Sequence, residues 1–267
     1  GRVVIGGFFD QVNGTNRSHI ARLLSDGTVD RFFNPGAGAD NPVYALAIHP
    51  DGRIVLGGSF ATINGISRPG IAMLDPDGMV SGAFDPGQGL NGTVVAIGVQ
   101  NDGRILVGGD FTLANGVPGP YLVRLNTDGS VDSTFNTGTG PNGVVRAITT
   151  SPDGRIFIGG AFKLVNGLTR NHLARLDSAG GVDASFLASS TGGNGDVSDI
   201  ALQFDGRIIV VGDFTSFNDV TRNRITRLNP NGKTDPTINF GSGANDSINA
   251  AVVQLDRRIV IGGRFTA

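Results

Sequence analysis

The side chains in this sequence that could do chemistry are almost all aspartates and arginines. Cysteine is absent, which excludes disulfides and thiolate metal sites. Every acidic residue is Asp, so a general acid–base pair would need two aspartates, and none stands out by its context. His19, His49 and His172 show no His-x-x-x-His or Glu-x-x-His zinc spacing. We therefore predict that the protein is not an enzyme and has no cofactor and no metal site.

Two short motifs resemble ligand-binding loops but favour a structural role. The Gly57-Gly58 pair would need a helix start behind it to bind phosphate, and it lies instead in an apolar strand. The turn Asp75-x-Asp77-Gly78 offers carboxylates to calcium, which takes six to eight oxygens. The equivalent turns in other parts of the chain lose those oxygens, so we predict turn chemistry at this position and leave calcium as the alternative.

These motifs belong to one stretch that the chain contains six times, of which Asp51 to Phe60 is the clearest copy. Successive copies are 51, 51, 51, 52 and 51 residues apart, measured at Arg2, Arg53, Arg104, Arg155, Arg207 and Arg258. A period of this size is typical of propellers, solenoids or arrays.

One repeat contains four candidate strands, Val43 to Ile48, Arg53 to Phe60, Ile71 to Leu74 and Met79 to Phe84. The pattern predicts an all-β protein, a β-propeller of four-stranded antiparallel blades. We expect five repeats of about 51 residues plus one extra strand, favour a five-bladed ring, and leave six or more blades open. A bent solenoid of hairpins is the alternative. We interpret residues 1–267 as one propeller domain, a fragment that starts and ends within a blade and could self-associate through incomplete terminal blades.

The charge and the hydropathy of the sequence argue against two classes of partner, nucleic acids and membranes. The net charge of −2 argues against a nucleic-acid binder, which usually carries a basic face. No apolar run approaches the 18 residues of a membrane span, so we predict no membrane insertion.

Positions at which the repeats differ are the best candidates for binding. One position of the first strand, which should line the central channel, carries Tyr44, Val95, Arg146, Ser198 and Asn249 in turn. The next carries alanine in every copy except one, where it is Asp199. Charges in this inner setting are costly unless they are paired. We hypothesise that Arg146 and Asp199 pair with each other, or that they open onto the channel mouth and bind a ligand together with Tyr44 and Asn249.

Two sets of arginines recur. Arg22, Arg124, Arg175 and Arg227 lie in third strands, at a constant offset from Asp30, Asp132, Asp183 and Asp235. We expect these two sets to pair and to hold the blades in register. A second set lies in the loops before the third strands and could form a partner-binding ring on one face; its members are Arg17, Arg68, Arg170 and Arg222. Salt bridges to a neighbouring blade are the preferred alternative for the loop set.

The repeat resembles the delta-60 repeat family of bacterial β-propellers. The resemblance rests on the stretch from Pro50 to Phe60, the loop from Val165 to Asn171, the strand Ile20-Ala21-Arg22-Leu23 and the stretch from Asp128 to Asn136. It covers the whole chain and implies large bacterial proteins that are secreted or exposed on the cell surface. It implies no catalytic residues.

We therefore favour a non-enzymatic extracellular scaffold for adhesion or protein–protein contact, with a protein or a glycan bound at a propeller face. A carbohydrate-binding propeller is the first alternative, although the chain has no Trp and only two Tyr for an aromatic platform. An enzyme with a site on the propeller axis is the second alternative.

Overall fold

A computed structural model describes residues 1–188 and 190–267. The chain divides into two compact units, Gly1–Ser133 and Thr134–Ala267. All the elements of the described residues are β-strands, and none of these residues forms a helix able to cross a membrane.

The first unit contains fourteen strands, β1 (Val3–Gly6), β2 (Gln11–Val12), β3 (Thr15–Asn16), β4 (Ile20–Leu23), β5 (Val43–Ile48), β6 (Ile54–Gly58), β7 (Thr62–Ile63), β8 (Ile66–Ser67), β9 (Ile71–Leu74), β10 (Thr93–Val99), β11 (Ile105–Asp110), β12 (Leu113–Ala114), β13 (Val117–Pro118) and β14 (Leu122–Leu125). The second unit contains twelve, β15 (Val145–Thr150), β16 (Ile156–Gly160), β17 (Leu164–Val165), β18 (Leu168–Thr169), β19 (Leu173–Leu176), β20 (Val197–Leu202), β21 (Ile208–Gly212), β22 (Ser216–Phe217), β23 (Val220–Thr221), β24 (Ile225–Leu228), β25 (Ile248–Val253) and β26 (Ile259–Gly263).

Antiparallel pairing groups the longer strands into blades, which we number along the chain. Blade 1 is β1 and β4, blade 2 is β5, β6 and β9, and blade 3 is β10, β11 and β14. Blade 4 is β15, β16 and β19, blade 5 is β20, β21 and β24, and blade 6 is β25 and β26. The predicted strands at Ile20 and Ile248 thus belong to different sheets, and the shared sheet expected of a five-bladed ring is not among the pairings of the described residues. The repeated antiparallel blades confirm the predicted propeller architecture.

In blades 1 to 5 the fourth strand is much shorter than the sequence pattern suggests. It is attached by a single bridge, such as Leu74 with Val80 and Leu176 with Val182. In blade 4 the chain then turns, because the Asp183 carboxylate accepts the N–H of Ser185 at 2.9 Å. The phenylalanine that follows is fully buried, as with Phe84 and Phe186, so this segment fills the core more than it extends the sheet.

The glycine pairs allow neighbouring blades to approach closely. A Cβ on Gly57 would lie 2.4 Å from the Cγ1 of Val94, and a Cβ on Gly159 would lie 2.4 Å from the Cγ1 of Val197. At these two positions a larger side chain would require the next blade to move; blade 5 has Val211 at the equivalent position. The predicted structural role of the pair is therefore confirmed.

Buried ion pairs join the third strand of a blade to its fourth segment. Arg22, Arg124, Arg175 and Arg227 each donate through Nε to Asp30, Asp132, Asp183 and Asp235, at 2.8 to 2.9 Å. Arg175 also donates to the carbonyl oxygen of Pro230 in the next blade, at 2.5 Å, and lies 4.6 Å from the centre of the Phe186 ring. The predicted pairing of the arginines with the aspartates is confirmed within each of these blades, and Arg175 adds a contact to the backbone of the next blade.

Candidate functional site

Every complete first strand carries a β-bulge near its start. The register shifts between Val43 and Ala45, Val94 and Ala96, Val145 and Ala147, Val197 and Asp199, and Ile248 and Ala250. The extra residues are the variable ones, Tyr44, Val95, Arg146, Ser198 and Asn249. A bulge redirects its side chain away from the sheet, and Tyr44, Arg146 and Asn249 are exposed. We call this end of the blades the bulged end.

Arg146 takes part in an ionic cluster in the second unit. Its Nε lies 3.4 Å from the Oδ2 of Asp196, the residue before β20. The other oxygen of Asp196 lies 3.4 Å from the Nδ1 of His172, which donates to the Gly160 carbonyl at 2.9 Å. The predicted pairing of Arg146 with Asp199 is therefore wrong, because Asp196 is the carboxylate that lies beside the bulged arginine.

Asp199 instead joins two neighbouring first strands. Its carboxylate accepts the N–H of Ile200 at 2.8 Å and the N–H of Ala251, in β25, at 2.9 Å. Burial raises the pKa of this carboxyl above its usual value, and these two hydrogen bonds act in the opposite direction. The geometry makes Asp199 a structural link between blades 5 and 6, placed beside the bulged end.

A second polar group lies at the bulged end of blades 5 and 6. The Ser247 hydroxyl donates to the Asp213 carboxylate, and Arg224 donates to the Asp213 carbonyl oxygen. Arg224 and His172 occupy equivalent positions and both have a left-handed backbone, with φ of 69° and 66°. Sequence reasoning missed Asp196, Asp213 and Arg224, although their positions also differ from repeat to repeat, and that difference was the available signal.

In the first unit the bulged end is aromatic. Phe8 is 86 % exposed, and its ring stacks on that of His19 with the centroids 5.9 Å apart. Tyr44 is 55 % exposed at the start of β5, the strand that packs against β1. Sequence reasoning identified Tyr44 and missed Phe8, which stands where other repeats have Ser59, Asp110, Ala161, Asp213 and Arg264.

The four loop arginines are folded back onto their own loops. Arg17, Arg68, Arg170 and Arg222 are all half-buried, and each donates through Nη1 to the carbonyl of the preceding residue at 2.7 to 3.0 Å. Arg68 also lies 3.5 Å from the exposed carboxylate of Asp85 in its own blade. Local bonds thus hold these side chains in place, and the bulged residues are the more accessible set.

The residues described in 1–188 and 190–267 contain no cluster of three or more His or Asp side chains able to hold a metal ion. The carboxylates of Asp196, Asp199 and Asp213 already accept hydrogen bonds or pair with Arg and His. The arrangement therefore suits recognition of polar and aromatic groups.

Comparison with solved structures gives the same fold. The chain is similar to the WD40 beta-propeller domain of Doa1, with 16 % identity and a TM-score of 0.55 over 84 % of this chain and 62 % of that one. It is similar to an inactive virginiamycin B lyase from Staphylococcus aureus, with 15 % identity and a TM-score of 0.54 over 85 % of this chain and 65 % of that one. A gluconolactonase from Xanthomonas campestris gives 17 % identity and a TM-score of 0.51, over 91 % and 75 % of the two chains. The chain spans less than two thirds of the first two proteins.

Comparison with sequences identifies the family. No curated protein sequence matches the chain. A family model described as a domain of unknown function, the DUF5122 beta-propeller, matches residues 1–33, 49–80, 100–135, 151–186 and 203–237. These matches cover more than half of the chain and coincide with the repeats found in the sequence. The chain therefore belongs to the DUF5122 beta-propeller family.

Proposed function

We propose that this propeller is a non-enzymatic interaction module that binds a protein partner through the bulged end of its blades. One observation carries the proposal: each bulge presents a different side chain, while most of the glycine pairs and most of the Arg–Asp pairs behind it repeat. A rigid scaffold with a variable, exposed end is the form that specific recognition requires.

The chemistry of the bulged end supports a protein partner. In the second unit, Arg146, Asp196 and Arg224 offer charges of both signs at the surface. Complementary charges at a rim set specificity and association rate more than affinity. In the first unit, the exposed ring of Phe8 offers an apolar contact, and aromatic residues are common binding hot spots.

A paired substitution tests this proposal. Arg146→Ala removes an arginine at the bulged end, and Arg258→Ala removes one at the opposite end of a blade; both lie 3.4 Å from an aspartate. The 267-residue chain is screened on protein arrays and glycan arrays, and the affinity of each hit is then measured. We expect Arg146→Ala to weaken a protein hit about tenfold and Arg258→Ala to leave it unchanged. Equal effects of the two variants would refute binding at the bulged end.

A carbohydrate ligand is the second candidate, and the aromatic group of the first unit favours it. Phe8 and Tyr44 are exposed and could provide the flat apolar surface on which a sugar ring stacks, with the buried His19 ring supporting Phe8 from behind. In the same arrays, a glycan hit that is lost on Phe8→Ala and Tyr44→Ala but kept on Arg146→Ala would favour this candidate over a protein partner.

We also propose that the protein is bacterial, secreted or exposed on the cell surface, and used in adhesion. The support is the resemblance of the sequence repeats to the delta-60 repeats. Antibody labelling of intact host cells tests the location: we expect the propeller to be labelled without permeabilisation, and labelling only after permeabilisation would contradict the proposal.

A further inference from the structure

A second candidate site lies at the other end of the blades, in the groove between blades 4 and 5. A pocket of about 370 Å³ opens there, and its apolar lining includes Pro152, Phe157, Leu202, Phe204 and Pro230. This volume lies within the range of roughly 300–1,000 Å³ that is usual for ligand pockets. The pocket is separate from the bulged end. Its lining includes Thr150, the last residue of β15, whereas the bulge residue Arg146 follows the first residue of that strand.

One residue decides whether this groove is open. Between blades 2 and 3 the groove is filled by His49, which is 6 % exposed and has its Nε2 3.0 Å from the Gly103 carbonyl oxygen. A Cβ on Gly103 would lie only 2.7 Å from the His49 Nε2. Between blades 4 and 5 the equivalent residue is Ser151, which turns back to donate to Asp153 at 2.5 Å. A Cβ on Gly206 would accordingly meet nothing nearer than the Pro230 Cγ, at 3.5 Å.

The pocket combines aromatic walls with an unsatisfied hydrogen-bond acceptor. The Oε1 atom of Gln203 is buried and accepts no hydrogen bond within the described residues. Its equivalent in blade 3, Gln100, accepts from the Arg124 Nη1 at 3.2 Å. A buried acceptor without a partner costs free energy, and an N–H or O–H of a bound group would remove that cost. Phe157 is buried in the pocket wall, and Phe204, at the rim, is 71 % exposed.

A smaller pocket of about 110 Å³ adjoins the first and shares Gln203 and Phe204 with it; Asp205, Val253 and Arg257 complete its lining. Two pockets with a common aromatic rim can take neighbouring side chains of an extended peptide. This arrangement favours a polypeptide over a small molecule as the occupant.

We propose that the pocket between blades 4 and 5 binds a tryptophan side chain of a partner polypeptide. The indole ring would pack between Phe157, Leu202 and Phe204, and its N–H would donate to Gln203. Tryptophan has the large apolar surface that this pocket can bury and the single donor that Gln203 lacks. This site is independent of the partner proposed for the bulged end.

The test uses two blocked tripeptides, Gly-Trp-Gly and Gly-Phe-Gly, titrated against the 267-residue chain with NMR detection. We expect the tryptophan peptide to bind about tenfold more tightly than the phenylalanine peptide, because only the indole satisfies Gln203. Gln203→Leu should abolish that preference. Equal affinity of the two peptides for the wild-type protein would overturn the assignment of Gln203 and of tryptophan.

Two exchanges of the residue that controls the groove provide matched variants. Ser151→His should fill the pocket as His49 does and abolish binding. His49→Ser is the control and should leave the number of bound peptides at one, because Asn101 and the hydrogen-bonded Gln100 stand in that groove where Phe204 and Gln203 stand in the other. If Ser151→His fails to fold, Phe204→Ala takes its place. Phe204 is 71 % exposed, so its removal should weaken peptide binding without preventing folding. Unchanged binding by Ser151→His, or by Phe204→Ala in its place, would refute the site.

Discussion

At the scale of single residues, the structure separates side chains that support the blades from side chains that are free to bind. Arg146 and Asp199 occupy neighbouring positions of the repeat, because Arg146 is equivalent to Ser198, yet they have different roles. The bulge directs Arg146 outward to Asp196, while Asp199 is turned towards the N–H groups of Ile200 and Ala251. Both residues are charges at positions where the repeats differ, but Arg146 is an exposed bulge residue and Asp199 links two strands.

The buried carboxyl of Asp199 gives a prediction about pH. Its pKa is raised in the folded protein, mainly by burial, so the folded state binds a proton more readily than the unfolded state. The stability of the wild-type protein relative to Asp199→Ala should be highest below about pH 4 and should fall as the pH rises towards 7. Thermal unfolding of both proteins across this range measures the difference, and a difference independent of pH would contradict the prediction.

At the scale of the blade, blade 2 shows that the buried Arg–Asp pair can be replaced as a unit. Met73 and Ser81 stand at the positions of the arginine and the aspartate, and both are buried. A buried charge that loses its partner is strongly destabilising, whereas exchange of both partners for neutral residues that pack well can be nearly neutral. Blade 2 has neutral residues at both positions, as this physical argument requires.

The blade 2 arrangement can be transferred to blade 4. Arg175→Met alone should lower the free energy of unfolding by about 2 kcal/mol, because it removes the arginine from the Asp183 carboxylate, which is half-buried and keeps its hydrogen bonds from Ser185. Arg175→Met with Asp183→Ser should recover at least about half of that loss, the remainder reflecting the contacts of Arg175 with Pro230 and Phe186. Urea unfolding of the single and double variants measures this, and a double variant no more stable than the single one would disprove it.

At the scale of the whole molecule, the repeated carboxylates couple the stability of the blades to pH. Burial alone would raise the pKa of Asp183 and Asp235, but hydrogen bonds from Ser185 and Thr237, together with Arg175 and Arg227, lower both values to about 2. The pKa of Asp30 in blade 1 is also lowered, since the N–H of Phe32 and the Arg22 guanidinium outweigh its burial. Blades in both compact units therefore depend on an ionised aspartate.

Acid should accordingly destabilise the propeller. A carboxyl with a lowered folded pKa contributes its stability above its unfolded pKa of about 4 and loses it as the pH falls through the folded value. We expect the urea midpoint to fall steadily between pH 4 and pH 2. The contribution of Asp199, whose folded pKa is raised, changes above about pH 4 and is constant in this window. Urea titrations at half-unit intervals of pH would measure the midpoint, and a constant midpoint over this window would refute the prediction.

The sequence by itself determined the architecture, because each copy of the repeat encodes the same local structure. The Asp-Gly turns, the glycine pair and the strands at Arg53 and Ile71 recur at a fixed period, and only similar blades that pack on one another satisfy such a pattern. The pairing of Arg175 with Asp183 was predictable for the same reason, since a constant offset in every blade implies a constant contact. The variable position of the first strand was visible too.

The tertiary structure alone decided what the variable residues do. A β-bulge depends on the register of two strands, so the sequence did not show that Tyr44 and Arg146 are turned outward. Phe8 and His19 meet only because β1 pairs with β4. Between blades 2 and 3 the groove is filled by a contact of His49 with Gly103, two residues more than fifty positions apart. The groove at Ser151 is open because serine replaces that histidine. Contacts of this kind depend on packing between blades, and a repeat pattern read one blade at a time does not contain that information.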